Sequence, residues 1–156
     1  MASFIYNSFK QYEGDGTVDM DGDTFKIILL SASHTPDATH TQYSNVSGNE
    51  LANGNGYTTG GQTLSNVAWS RTGATVKFDA TDPVWTAATF DARYAIIYDD
   101  TTANDILVCL LDFGAVKSVS SGTFTIVFHS DGIFTKTCSE GRARLFCRVR
   151  RHTVKD

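Results

Sequence analysis

This sequence predicts an all-β chain, an antiparallel β-sandwich with jelly-roll-like wiring and at most short helices. Three observations carry that expectation. Strand-length segments with alternating or continuous apolar residues recur along the chain, Gly- and Asp-rich turns separate them, and the helix–strand alternation that builds a parallel sheet is missing. Ten Phe, six Tyr and two Trp against two Met make a vocabulary suited to pleated surfaces. At 156 residues and 41% hydrophobic content, the chain suits a single globular domain and not a disordered segment.

The elements follow in order. Short helical candidates lie around residues 3–12 and around Val46 to Ala52. Thr24 to Leu30 sets Phe25, Ile27 and Leu29 on one side, while Ile28 and Leu30 on the other predict a strand covered on both faces. Asn66 to Arg71 and Thr75 to Phe78, joined by Thr72-Gly73-Ala74, read as a hairpin with Val67, Trp69, Val76 and Phe78 facing in. Thr89 to Tyr98 is the strongest strand, with Phe90, Ala92, Tyr94, Ile96 and Tyr98 on one face. A polar turn from Asp99 to Asn104 leads into the apolar run Ile106 to Leu111, a central strand. Thr123 to Phe128 alternates again, with Phe124, Ile126 and Phe128 inward.

Charge is unevenly spread. Residues 1–135 carry 6 basic and 15 acidic side chains, whereas residues 136–156 carry 7 basic and 2 acidic. The acidic body repels phosphate and argues against nucleic acid as a partner. No apolar run approaches the roughly 18 residues of a membrane span, and the first residues lack the pattern of a secretory signal. Of three cysteines, Cys109 sits in an apolar run and is expected to be a buried thiol. Cys138 and Cys147 can meet only if the chain folds back between them. Reduced thiols and synthesis in a cytoplasm are expected.

Asp19-Met20-Asp21-Gly22-Asp23 has the alternating carboxylates of a calcium loop, but its twelfth position is Leu30, so it reads as an acidic turn. His34, Asp37 and His40 share a polar loop without a helix to set their spacing or an evident fourth ligand, and read as a solvated loop. No Ser-His-Asp or Cys-His arrangement emerges, which points away from an enzyme. The stretch Asn49 to Leu64 holds Gly54, Gly56, Gly60 and Gly61 around Tyr57. It lacks GxxxxGK[ST] and is not bracketed by a strand and a helix, so it reads as a loop of set backbone shape with Tyr57 as packing anchor and candidate contact. In Arg142 to Arg150, Ala143, Leu145, Cys147 and Val149 share one parity and Arg142, Arg144, Arg148 and Arg150 the other. That is a strand with an arginine face, suited to an acidic protein surface.

The ordered set Asp23-Thr24-Phe25-Lys26, Thr35-Pro36 with His40, Glu50, Gly56-Tyr57-Thr58-Thr59-Gly60-Gly61, Val84 to Phe90, Ala92 to Asp99 and Leu111-Asp112-Phe113-Gly114 resembles a family of small β-sandwich virion proteins of tailed bacteriophages. The resemblance implies a non-enzymatic structural protein without cofactors. Within that group it implies a capsid cement or decoration protein on the outer head shell, with the major capsid protein and further copies of itself, as a dimer or trimer, for partners. Residues 1–135 would form the virion domain. Residues 136–156 would form a basic extension, a strand or arm of the same domain, because similar proteins end soon after a strand like Gly132-Ile133-Phe134. A tail or neck component is the alternative, and a carbohydrate-binding module using Trp69 and Trp85 is a second.

Overall fold

The computed structural model of the chain describes residues 3–141 and 144–151, with side chains through Thr137. A short strand β1 (Phe4–Ile5) and helix α1 (Asn7–Asp15) precede β2 (Phe25–Leu30), β3 (Gln62–Thr63), β4 (Ala68–Thr72), β5 (Thr75–Asp79), β6 (Val84–Asp99), β7 (Ile106–Thr125), β8 (Phe134–Gly141) and β9 (Arg144–Arg151). They form two sheets, ordered β1-β7-β6-β2-β3 and β4-β5-β8-β9, and every pairing is antiparallel. This is the all-β sandwich expected from the alternating segments. Strands adjacent in sequence pair as β2–β3, β4–β5, β6–β7 and β8–β9, the first across a long connection, and the chain changes sheet after β3, β5 and β7.

The core lies between the sheets. Phe25 of β2 meets Phe78 of β5 edge-on at 5.3 Å between ring centres, and Phe78 meets Phe134 of β8 at 5.2 Å. Helix α1 closes one end with Phe9, fully buried, against Phe134 at 6.0 Å. Gly16 stops the helix in the left-handed conformation (φ 80°), the usual way a helix reverses. A bidentate contact from Lys136 Nζ to the Glu13 carboxylate (2.6 and 2.7 Å) ties the helix to β8. Edge-to-face aromatic pairs of this kind each add about 0.5–1.5 kcal/mol beyond the area they bury.

The other face of the five-stranded sheet is covered by the long connection between β2 and β3. Both faces of β2 are therefore buried, as Ile28 and Leu30 foretold. The connection crosses to the far edge, where Leu107 N donates to Thr41 O (3.0 Å) and Tyr43 N to Asp105 O (2.9 Å). It then returns so that Ser31 N bonds Asn49 O and Leu51 N bonds Leu29 O, both 3.0 Å. The helical turn expected near Val46 is a pair of 3-10 turns, Tyr43–Asn45 and Ser47–Asn49.

The expected hairpin is present as β4 and β5, turning at Gly73 (φ 60°). Two strands are longer than the alternation indicated. β6 begins at Val84, and Thr123 is no separate strand's start but the end of β7, which continues from Ile106. Gly114 (φ 79°) and register shifts between Trp85 and Ala88, Ala88 and Phe90, and Ala92 and Tyr94 let the pair bend without breaking, as β-bulges do. β8 straddles residue 135, so the extension continues the second sheet. Its register sets Cys138 opposite Cys147. Cys109 is buried in β7.

Candidate functional site

Asn55 (φ 53°) and Gly56 (φ 84°) both take positive φ, and Gly54 and Tyr57 exchange backbone bonds at 2.8 and 2.9 Å. That is the two-residue turn which Asn-Gly encodes, because both central residues need left-handed backbone. The turn lies against the irregular part of β6. Thr89 N donates to Asn55 O (2.9 Å), and a Cβ on Gly56 would stand 2.8 Å from Ala87 O. Gly61 is tighter still, its missing Cβ being 2.0 Å from Ile27 O. Glycine here serves close backbone approach as well as φ.

The loop closes around one carboxylate. Glu50 Oε1 accepts from Tyr57 Oη (2.6 Å) and Gly60 N (2.7 Å), and Oε2 accepts from Tyr43 Oη. Tyr57 Oη in turn accepts from Leu29 N (3.1 Å), and Tyr98 Oη donates to Gly60 O (2.7 Å). β3 pairs β2 only at Lys26 and Ile27, so the Tyr57 hydroxyl stands where the next strand bond would be. Burial first, then the bond to Glu50, pushes the Tyr43 and Tyr57 hydroxyls far above the ordinary tyrosine range, and both stay protonated donors.

Tyr57 is thus the packing anchor read from the sequence, but its ring is only 2% exposed. A partner reaching this loop meets the exposed Thr58 and Thr59 instead. Glu50 stands in the ordered motif set without an assigned role, and Tyr43 in no motif. The available signal was symmetry: Tyr43 and Tyr57 each stand seven residues from Glu50.

From Val84 opposite Thr125 to Ala92 opposite Lys117, β6 and β7 pair with each other and, among the described strands, with no third one. One face gathers aromatic rings, with Phe124 at 5.8 Å from Trp85, 5.3 Å from Phe90 and 6.0 Å from Phe113. The other presents exposed Thr89, Asp91, Ser118 and Ser120, with Val84 and Val116 also exposed. β1 covers the outer edge of β7 only at Cys109 and Leu110, and among the described strands none pairs that edge from Phe113 to Thr125.

Arg144, Arg148 and Arg150 fall on β9, the outer strand of the four-stranded sheet. Their side chains, and Arg142 entirely, lie outside the described residues. Asp19 Oδ1 accepts from Asp21 N (3.0 Å) and Gly22 N (3.1 Å), shaping an acidic turn. Two strand-end carboxyls are brought together that the sequence did not pair. Asp99 is fully buried, its Oδ1 takes the Thr101 N–H (2.8 Å), and Asp23 lies beside it. Burial, reinforced by Asp23 and opposed by the Thr101 amide, pushes Asp99 up to about 7.

Comparisons with protein-family models, with curated proteins and with solved structures found no match.

Proposed function

We propose that this chain is a virion structural protein of the capsid cement or decoration type, binding the outer head shell as a homo-oligomer beside the major capsid protein. The motif order that resembles tailed-phage virion proteins motivates the reading. The observation that carries it is the open outer edge of β7 from Phe113 to Thr125, beside the exposed Ser/Thr/Val face of the β6–β7 pair. Such an edge offers a row of backbone donors and acceptors to a neighbouring subunit, while alternate side chains select the partner. Rigid loops on a packed sandwich suit binding at many equivalent shell positions, where linked subunits turn modest contacts into avidity. The arginines of β9, at one end of an acidic body, suit docking on an acidic shell surface, where charge sets register more than affinity.

A tail or neck component is the competing virion role, and copy number separates the two. Counting the chain in purified particles by quantitative mass spectrometry, with imaging to locate it, tests the proposal. Hundreds of copies on the shell support cement, and a few to tens at the vertex or tail replace it with the alternative. The carbohydrate-binding reading needs exposed aromatic platforms. Trp85 is 5% exposed and offers none, while Trp69 is half-buried against Phe78 and Phe134.

A further inference from the structure

The outer face of the four-stranded sheet is basic at one end, and its register shows how. Trp69, Phe78 and Phe134 stand opposite one another and face the core, so residues of the other parity face away from it. Lys77, Thr135 and Arg150 fall in one cross-strand row of that outer face, and Thr75, Thr137 and Arg148 in the next. The hydroxyls of Thr75 and Thr137 meet at 2.7 Å across the second row. β4 completes each row with an exposed hydroxyl residue, and neither row holds a carboxylate. Lys77 is held by Asp79 (3.2 Å), so the surplus positive charge belongs to the β9 end.

A groove of about 340 Å³ lies beside β4, at the opposite edge of the same sheet. The indole of Trp69 and the buried Val18 and Met20 give it apolar walls, and Glu13, Asp19 and Asp21 give it carboxylates, with no Lys or Arg in the lining. Glu13 already holds one ammonium, Lys136 Nζ, whereas Asp19 and Asp21 enter no ion pair among the described residues. An indole beside uncompensated carboxylates suits a guanidinium, which stacks on the ring and pairs with the carboxylate along its edge. Three interstrand spacings separate β4 from β9, roughly 14 Å. The groove is therefore out of reach of the Arg148 and Arg150 positions of its own chain.

We infer, on the reading that the chain is a homo-oligomer, that the Arg148 and Arg150 rows of one copy dock in the Trp69 groove of a second copy. The acidic surface suited to these arginines is one that the chain itself carries. Charge complementarity favours a second copy as the occupant. Residues 1–135 hold 6 basic against 15 acidic side chains and residues 136–156 hold 7 against 2, so the extension of each copy complements the body of the next. The contact joins two unlike patches head to tail, the geometry that closes into rings. Its charges lie at the surface, where each pair is worth little and is screened by salt, so several pairs act together and low ionic strength favours them.

The test is the solution mass of the full chain by light scattering on a sizing column, at about 50 mM and about 500 mM sodium chloride. Two charge reversals accompany it. One is Arg148→Glu with Arg150→Glu, and the other is Asp21→Lys, at a side chain that enters no hydrogen bond among the described residues. The expected result is an oligomer at low salt that dissociates at high salt, with association roughly tenfold or more weaker in each variant alone. Mixing the two variants should restore the wild-type mass, because each reversed patch then meets its opposite. Circular-dichroism melts show which variants fold, and if the double arginine reversal does not, Arg150→Gln takes its place. An oligomer that ignores salt, Asp21→Lys or the arginine change, or a mixture that stays dissociated, overturns this contact and leaves the homo-oligomer standing. A wild-type monomer at low salt and millimolar concentration overturns both.

Discussion

Tyr57→Phe removes one oxygen atom and keeps the ring that meets Phe90 edge-on at 6.2 Å. Two bonds go with it: the donation to Glu50 Oε1 (2.6 Å) and the acceptance from Leu29 N (3.1 Å). A hydrogen bond to a charged group is worth about 1.5–3 kcal/mol, and a buried amide left without a partner costs about 1–3 kcal/mol. Leu29 is fully buried, so its N–H has no water to turn to. Glu50 keeps Tyr43 and Gly60 N and is only half-buried, so the lower end of each range applies. The expected loss is about 2.5 kcal/mol, or roughly 5–10 °C in melting temperature for a domain of this size. Urea unfolding followed by tryptophan fluorescence measures it, with Tyr43→Phe as the control. Tyr43→Phe removes a bond to the same carboxylate but strands no strand amide, and should cost about 1–2 kcal/mol. A double-mutant cycle with Glu50→Gln separates the pairwise part from the stranded amide. A Tyr57→Phe loss under about 1 kcal/mol, or one equal to that of Tyr43→Phe, would refute the idea that this hydroxyl completes the edge of β2.

Two further perturbations test the same frame. Gly61→Ala drives a Cβ to within 2.0 Å of Ile27 O at φ 76°, whereas Gly60→Ala at φ 91° meets no atom within 4 Å. The first should unfold the chain or cost more than about 4 kcal/mol, and the second only the roughly 1–2 kcal/mol of left-handed backbone; equal losses by circular-dichroism melting would contradict the close approach. Asp99 titrates near 7 in the fold, above its ordinary value of 3.8. The unfolded chain therefore releases this proton first, so stability falls as pH rises from about 4 to about 7 and then levels. Asp99→Asn should remove that slope and stabilise the protein at pH 8 by a few kcal/mol at most, and urea midpoints at pH 4, 6 and 8 that shift in parallel for both proteins would show the carboxyl is not the cause.

Legibility in the sequence tracked how local the cause was. Phe25 to Leu30, the β4–β5 hairpin and Ile106 to Leu111 were readable because apolar spacing reports which faces are covered, and coverage is what stabilises a strand. The ends of β6 and β7 were not readable. Strand length there depends on cross-strand pairing of residues far apart in sequence, such as Trp85 with Phe124, and on bulges that absorb the mismatch.

By itself the sequence determined the fold class, the glycine-shaped loop from Asn49 to Leu64, and the acidic body with its basic extension. Those follow from period, composition and the backbone demands of single residues. Only the tertiary structure decided that Tyr57 faces inward to Glu50, that Asp23 meets Asp99, and that His34 is buried beside the half-buried His40. The physical reason is common to all three. Whether a polar side chain is solvated or sealed depends on which distant segment crosses above it, and here the crossing is made by the β2–β3 connection, the β6–β7 turn and the N-terminal segment. Local pattern specifies which face is apolar, and long-range closure specifies which polar groups are shut in with it.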